Sequence, residues 1–399
     1  MLRYLTAGES HGPQLTAVVD GLPAGLPVDL DKINHQLSRR QKGYGRGSRM
    51  DIEKDKVQVV SGVRFGRTMG GPVTLVILNL DWQNWQETMN PLQPAPEDAG
   101  LLQEGSAPET TRPRPGHADL TGGIKWNHYD LRNVIERASA RETAARVAAA
   151  GLARQLLEYF NVRFASHVVR IGQAALSAEY DLANLERIVE LSEASKVRCI
   201  DRVAEQAMIA EIREAEKDGD SLGGIVELIV RGLPVGLGGF SQWDQRLDGR
   251  LAAGLMSIHS VKGVEIGLGF EAVKRRGSQV HDQIFCDPDA CPTKKGFYRR
   301  TNNAGGLEGG ITNGEDIIVR IAGKPLATLN QPLGSVDVRT RKAVKAMSER
   351  TDTCIVPSLA VICEAVAALI LADAFLDKFG SDNLAETERN YRTFLATPY

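Results

Sequence analysis

Short apolar runs rich in Val and Ile, most of them bounded by Gly or Pro, punctuate the chain at Leu15–Val19, Val57–Val60, Val73–Leu78, Val162–Ile171, Ile225–Val230 and Ile317–Ile321. Runs of this length and composition predict β-strands. Between them helical patterns predict helices over Leu30–Gln41, Asp130–Phe160, Leu182–Ser192, Arg202–Lys217 and Leu247–His259. A last helix is predicted over Pro357–Phe379, with a proline at its N-terminus and Gly380 just after it. Strands and helices follow one another irregularly and no short repeat recurs, which favours a mixed, layered fold over a barrel or a solenoid. Two segments resist this pattern: Asp81–Gly116, with Pro91, Pro94, Pro96, Pro108, Pro113 and Pro115, and Arg275–Gly310, rich in Gly, Asn and charge. Connections this long are usually functional, so both are expected to be lids or site loops inserted in one domain spanning residues 1–399.

Composition narrows the function classes. With 42% hydrophobic and 25% charged residues the chain is an ordinary folded globular protein. Lys plus Arg number 48 against 50 Asp plus Glu, a net charge of −2, too balanced for a protein that coats nucleic acid or an anionic membrane. Aromatics are only 6% and rarely fall among the cations, which further disfavours a nucleic-acid binder. Five scattered cysteines without a CxxC pair predict reduced thiols in a cytosolic, cytoplasmic protein. The N-terminus has no apolar run suited to a signal peptide. The longest apolar stretch, Val361–Leu376, is interrupted by Glu364 and Asp373 and predicts a buried helix rather than a membrane span.

The cations are clustered. Arg39, Arg40, Lys42, Arg46 and Arg49 form one group without an acid among them. Arg112, Arg114, Arg132, Arg137, Arg141 and Arg146 form a second, and Arg339, Arg341, Lys342, Lys345 and Arg350 a third. The planar fork of arginine suits phosphate and carboxylate, so three such groups in a neutral chain suggest a pocket for a small polyanion, although each alone also fits a solvated face. Around Arg46 the glycines Gly43, Gly45 and Gly47 would let backbone N–H groups share an anion. Arg137 and Arg141, four apart on the predicted long helix, would share one face, with Glu136 and Glu142 as possible counter-charges.

Two of seven histidines have a context suited to proton transfer: His11 between small residues in Gly8-Glu9-Ser10-His11-Gly12, and His117 in Arg114-Pro115-Gly116-His117-Ala118-Asp119. Lone histidines are more often structural, and His35, His128, His167 and His281 are read so. No metal-ligand spacing, Walker loop or dinucleotide-binding glycine motif is present.

Taken together these motifs resemble the chorismate synthase family from end to end. The residues that carry the resemblance are Gly8–Gly12 with Asp20-Gly21-Leu22-Pro23, Glu136–Thr143, and Arg350-Thr351-Asp352 through Glu364-Ala365. Arg39–Gln41, Gly43–Arg46, Arg114–Asp119, Val261–Glu265, Arg300–Asn303 with the glycine pairs that follow, and Lys324-Pro325 match as well. Departures are Thr351 for the commoner Ser, His259-Ser260 in place of a pair such as Asn-Ala, and Ala327 for Pro. The resemblance implies an α+β fold, the family's β-α-β sandwich with long loop insertions, assembled as a homotetramer. It implies a carbon–oxygen lyase that converts 5-enolpyruvylshikimate 3-phosphate to chorismate by 1,4-anti elimination of phosphate, using reduced FMN without net redox change. Arg40, Arg46, Arg49, Arg114, Arg141 and Arg350 would surround the substrate's phosphate and two carboxylates. His11, supported by Ser10, would protonate the leaving phosphate; His117 would supply a proton near flavin N1, and Asp352 would act near N5. Cofactor contacts would come from Arg137, Ala138, Ser139, His259, Ser260, Gly309, Lys324, Pro325, Leu326, Ala327, Thr328 and Arg350. With no obvious added reductase domain in 399 residues, reduction of FMN is expected from an external flavin reductase rather than from the chain's own use of NADPH.

Overall fold

Strands β1 (Arg3–Ala7), β2 (Gln14–Asp20), β3 (Val57–Ser61) and β4 (Val73–Leu78) form an antiparallel sheet in the order β1-β2-β4-β3. The computed structural model describes residues 1–47, 53–92, 109–177, 180, 184–287, 292–348 and 352–399. A second antiparallel sheet combines β5 (Arg163–Ile171), β6 (Ala174–Ala175), β7 (Gly224–Arg231), β8 (Val261–Ile266) and β9 (Ile317–Gly323) in the order β8-β9-β7-β5-β6. Helices lie between the sheets. Helix α3 (Thr143–Tyr159) packs on β2 and β4, α7 (Val356–Phe379) packs on β5 and β7, and the two helices pack on each other. The result is the β-α-β sandwich expected.

Composition explains the central layer. Helix α7 is apolar on every side and almost wholly buried, as a helix enclosed by protein must be. Helix α3 presents Ala144, Ala145, Ala148, Ala149, Ala150, Gly151 and Ala153, all buried, and such small side chains let α7 and α1 (Leu30–Gln41) approach closely. A Cβ on Gly151 would stand 2.8 Å from Ile33 Cγ1 on α1. Gly151→Ala is therefore expected to cost about 1–3 kcal/mol by overpacking, which outweighs the roughly 1 kcal/mol that alanine gains in a helix interior. A urea midpoint at or above the wild-type value would contradict that packing.

Predicted and observed elements agree closely for all six strands and for α1 and α5 (Arg202–Lys217). Helix α4 (Leu185–Ala194) begins three residues later than expected, and α6 (Leu247–Met256) stops three residues earlier. One expectation is overturned: Asp130–Phe160 is not one helix. A short turn at Arg132–Ile135 leads to Ser139, whose backbone is extended, with ψ 142°. Ser139 Oγ accepts from Arg141 N, and the continuous helix restarts only at Thr143. Arg137 and Arg141 therefore do not share a helix face. Strands β1 and β8, α2 (Asp119–Trp126) and α8 (Leu384–Ala396) are additions to the predicted set. Segment 275–310 is likewise not structureless: Ile284–Cys286 pairs with Phe297–Arg299, and Leu307–Glu308 with Ile311–Thr312.

The cysteines Cys199, Cys286, Cys354 and Cys363 are free thiols, and burial pushes Cys354 up to about 12. Helix α7 satisfies the length and apolarity of a membrane span, yet 89% of its most apolar window is buried within the fold. Two of its three acids are engaged: Glu364 with Arg39 and Arg154, Asp373 with Leu2 N and Arg250.

Candidate active site

The turn joining β1 to β2 carries Ser10 and His11. Gly8 makes this turn possible, with φ +103° and a position where a Cβ would collide with Gln14 O at 2.3 Å. Asn79, just after β4, holds the turn by donating Nδ2 to Glu9 O and Gly12 O at 3.1 and 2.7 Å. On its far side the turn meets the broken helical segment: Ser10 N donates to Glu136 O, and Ser139 Oγ donates to Ser10 Oγ at 3.2 Å. His11 Nδ1 lies 2.9 and 3.1 Å from the two carboxylate oxygens of Glu136. Trp85, from the Pro-rich segment, stacks on the imidazole with ring centroids 3.9 Å apart.

Behind this turn sit two arginines. Arg141, buried, donates Nη1 to Asp55 Oδ1 at 2.6 Å and Nε and Nη2 to Asn79 Oδ1, with Glu53 at 3.5 Å. Arg40 donates Nε to Thr143 Oγ1 and Nη2 to Ala140 O. Its Nη1 is 3.5 Å from Asp55 and, though buried, makes no hydrogen bond. Burial and the nearby Arg141 and Arg46 push the Arg40 guanidinium down, against the pull of Asp55 and Asp352. An orphaned donor among three guanidiniums is a position where an anion would be welcome. Arg46 Nη1 lies 3.2 Å from Asp352 Oδ2, and Gly47 N donates to Asp352 Oδ1 at 2.6 Å. The glycine-rich segment thus aims a backbone N–H at an acid of the chain itself. Arg49 and Arg350 lie outside the described residues.

A second group forms where Gly116 approaches the segment after β9. His117 Nδ1 contacts Asp119 Oδ1, while Arg114 donates Nε to Asp119 Oδ2 at 2.9 Å and Nη1 to Thr328 Oγ1 at 2.9 Å. The Asp119 carboxyl is held well below the usual range: burial alone would raise it, but hydrogen bonds from His117 and Arg114 outweigh that. Lys324 Nζ donates to Gly116 O, and Lys324 N donates to Ser260 O, so His259 and Ser260 join this group. Burial and Lys262 push the Lys324 ammonium down, and no carboxylate among the described residues pairs with it. His259 Nδ1 is buried without a hydrogen bond, 3.9 Å from Glu142 Oε2, which itself pairs with Arg146 Nε at 2.9 Å. A cation with no carboxylate partner and an unpartnered imidazole nitrogen suit a polar, anionic cofactor. Arg137 stands at the edge, exposed, donating to Thr6 O and Gly8 O. Gly309 instead sits in a hairpin turn, its carbonyl accepting from Arg246.

The sequence leaves Trp85 and Asn79 without a role and offers Glu136 as a counter-charge for arginines and as the start of the Glu136–Thr143 motif; none of the three bears a local signal for its partner. Arg39 turns away from the site. It makes a bidentate pair with Glu364, beside a cleft of about 420 Å³ whose charges are already matched. The third cationic cluster is another correction: Arg341, Lys342 and Lys345 are exposed on a hairpin, and Arg339 pairs with Glu109 at 2.5 Å. A cleft of about 440 Å³ is bordered by Trp85, Thr110, Arg112, Arg132 and Met347. Among the described residues no acid, His or Cys group could hold a metal ion.

A β-α-β sandwich that gathers arginines and two carboxylate-held histidines has the equipment of an acid–base enzyme for a small polyanion. Comparison with known proteins gives the class a name. The family model for chorismate synthase matches residues 2–376. A chorismate synthase from Geobacter sulfurreducens is 53% identical over 397 residues, covering 99% of this chain and 98% of the relative. One from Symbiobacterium thermophilum is 54% identical over 394 residues, covering 99% and 98%. A solved crystal structure of chorismate synthase matches with a TM-score of 0.78 and 40% identity, covering 99% of this chain and 97% of that one. The chain belongs to the chorismate synthase family.

Proposed function

We propose that the chain converts 5-enolpyruvylshikimate 3-phosphate to chorismate with reduced FMN as cofactor. The observation that carries this reading is the set of cations around Ser10 and His11, with an unsatisfied Arg40 Nη1, in a chain of this family. In the overall reaction one C–O bond to phosphate and one ring C–H bond break, and a ring double bond forms. Arg40, Arg46, Arg114 and Arg141, with Arg49 and Arg350, bind the phosphate and two carboxylates and hold the ring in register. His11, beside Ser10, gives its proton to the departing phosphate oxygen. With the cofactor bound, His117 would be its proton donor on the N1 side, and Asp352, held by Arg46 and Gly47 N, would be the acid–base group beside N5. When bound, reduced FMN would contribute a transient electron easing loss of phosphate from a ring whose departing proton is not next to a carbonyl. Arg137, Ala138, Ser139, His259, Ser260 and Lys324 to Thr328 would hold it.

The reading is tested anaerobically with enzyme, substrate and chemically reduced FMN, following phosphate release and the diene absorbance of chorismate. Product with reduced but not oxidised FMN supports it; a folded protein that yields none in any condition removes it. An added arm with NADPH and oxidised FMN, without other protein, is expected to stay silent, as a chain dependent on an external reductase must. The chain is further proposed to be cytoplasmic and a homotetramer, consistent with exposed Phe240, Trp243, Phe270 and Val273; light scattering would detect a monomer. Lys324→Met is expected to weaken FMN binding about tenfold, from loss of one charged contact, and flavin fluorescence titration measures it.

A further inference from the structure

We propose that Glu136 is a positioning residue for His11, holding the imidazole with its proton on Nδ1 so that Nε2 is the nitrogen that serves the substrate. The inference rests on the reading of His11 as the donor to phosphate, and deepens it.

Glu136 and His11 are far apart in sequence, yet Glu136 grips the His11 turn at three points. Its main-chain carbonyl accepts from Ser10 N at 3.0 Å, its Oε2 accepts from His11 N at 2.9 Å, and both carboxylate oxygens face His11 Nδ1. A carboxylate only accepts, so the proton of this contact belongs to Nδ1. Arg132 Nη1 donates to Glu136 Oε1 at 3.2 Å and its Nη2 to Thr110 Oγ1 at 3.0 Å, which sets the carboxylate in turn. The Glu136 carboxyl is held below its usual range: burial would raise it, but the hydrogen bond and charge of His11, with Arg132, win.

The ring has little freedom to choose otherwise. Trp85 lies against its face at an interplanar angle of 20°, and is itself tied by Nε1 to Asp81 Oδ2 at 3.0 Å. Turning the imidazole over would set a carbon against a carboxylate that is only 2% exposed and needs a donor. His117 has a similar carboxylate in Asp119, but its Nδ1 also lies 3.1 Å from Arg114 Nη2, so two groups compete for that nitrogen. The His11 contact is the cleaner one.

The chemistry follows. When Nε2–H of the imidazolium breaks and an O–H forms on the departing phosphate, the neutral ring left behind keeps its remaining proton on Nδ1, shared with Glu136. Solvent then restores the proton to Nε2. Without the carboxylate the ring would prefer the opposite neutral form, with Nε2 protonated, as free imidazole side chains do.

The test uses the full chain labelled with 15N-histidine and solid-state 15N NMR at a pH where the imidazoles are neutral, with His11 assigned from its loss in His11→Gln. His11 is expected as the Nδ1–H form, while exposed His128 and His281 are expected mainly as Nε2–H. Glu136→Met should move His11 to the Nε2–H form and lower kcat on the order of 100-fold, with KM changed less than about threefold. Glu136→Asp, which restores a carboxylate, should recover part of both. A fall in kcat with the Nδ1–H form retained would mean that Glu136 only braces the loop, and would overturn the proposal. Should Glu136→Met fail to fold, the Nε2–H form in the wild type would overturn it alone. A wild type that makes no chorismate but shows the Nδ1–H form would instead remove the proposed function and leave the Glu136 hold intact.

Discussion

Glu364→Ala is expected to destabilise the folded chain by about 3–5 kcal/mol, the cost of leaving buried guanidinium groups without their counter-charge. Glu364 lies in the middle of α7 and is 1% exposed. Its Oε2 accepts from Arg39 Nη1 at 2.7 Å and Arg154 Nη1 at 2.6 Å, and its Oε1 from Arg39 Nη2 at 3.0 Å and Ser166 Oγ at 2.5 Å. The variant strips Arg39 and Arg154 of this partner at once, leaving them Glu193 and Glu158 only at the margin. Burial alone would raise the Glu364 carboxyl, but the two arginines hold it far below the usual range. A depressed acid contributes its stability in full above the unfolded-chain value, about 4.3, and loses it as pH falls below that. The gap between wild type and Glu364→Ala, measured by urea unfolding, should therefore be widest near pH 7 and narrow below about pH 4. A gap under about 1 kcal/mol at pH 7 would show that the network is not holding the central helices.

His11→Gln should lower kcat by roughly 10²–10⁴-fold, the usual worth of a general acid, with KM nearly unchanged because the arginines that bind the substrate remain. Glutamine keeps a donor of similar reach and lets Trp85 stay in place, so the loss reports proton transfer rather than collapse of the loop. Phosphate release under anaerobic conditions with reduced FMN measures it. Activity within about threefold of wild type would relieve His11 of its role and shift attention to a solvent proton or to His117.

What made some features legible in the chain is their locality. The strands at Val73–Leu78 and Ile317–Gly323 and the helix at Arg202–Lys217 are written in periodicity over a few residues, and α7 in apolarity, Pro357 and Gly380. Strand β8 escaped because Lys262, Gly263 and Glu265 do not look like a strand; only its pairing with β9 makes it one. The break at Ser139 escaped for a related reason. Local pattern favours an uninterrupted helix, but Arg141 must turn inward to Asp55 and Asn79, and Glu136 must reach His11, and those partners lie on the first sheet and its loops.

The candidate site divides along the same line. Ser10, His11, His117, Asp119 and the arginines are visible as residue types in motifs, and the motifs were enough to indicate the family. The sequence by itself thus determined the layered fold and the family, and marked out clustered cations and two histidines in motifs, because periodicity, charge and motif are properties of short segments. Only the tertiary structure decided which arginines face the site and which, like Arg39, neutralise a buried acid elsewhere. It also decided that Glu136 and Trp85 belong to His11 and that Lys324 donates to Gly116 O rather than to an acid. Charges and hydrogen bonds act through space over a few ångströms, and only folding brings residues more than a hundred positions apart within that range.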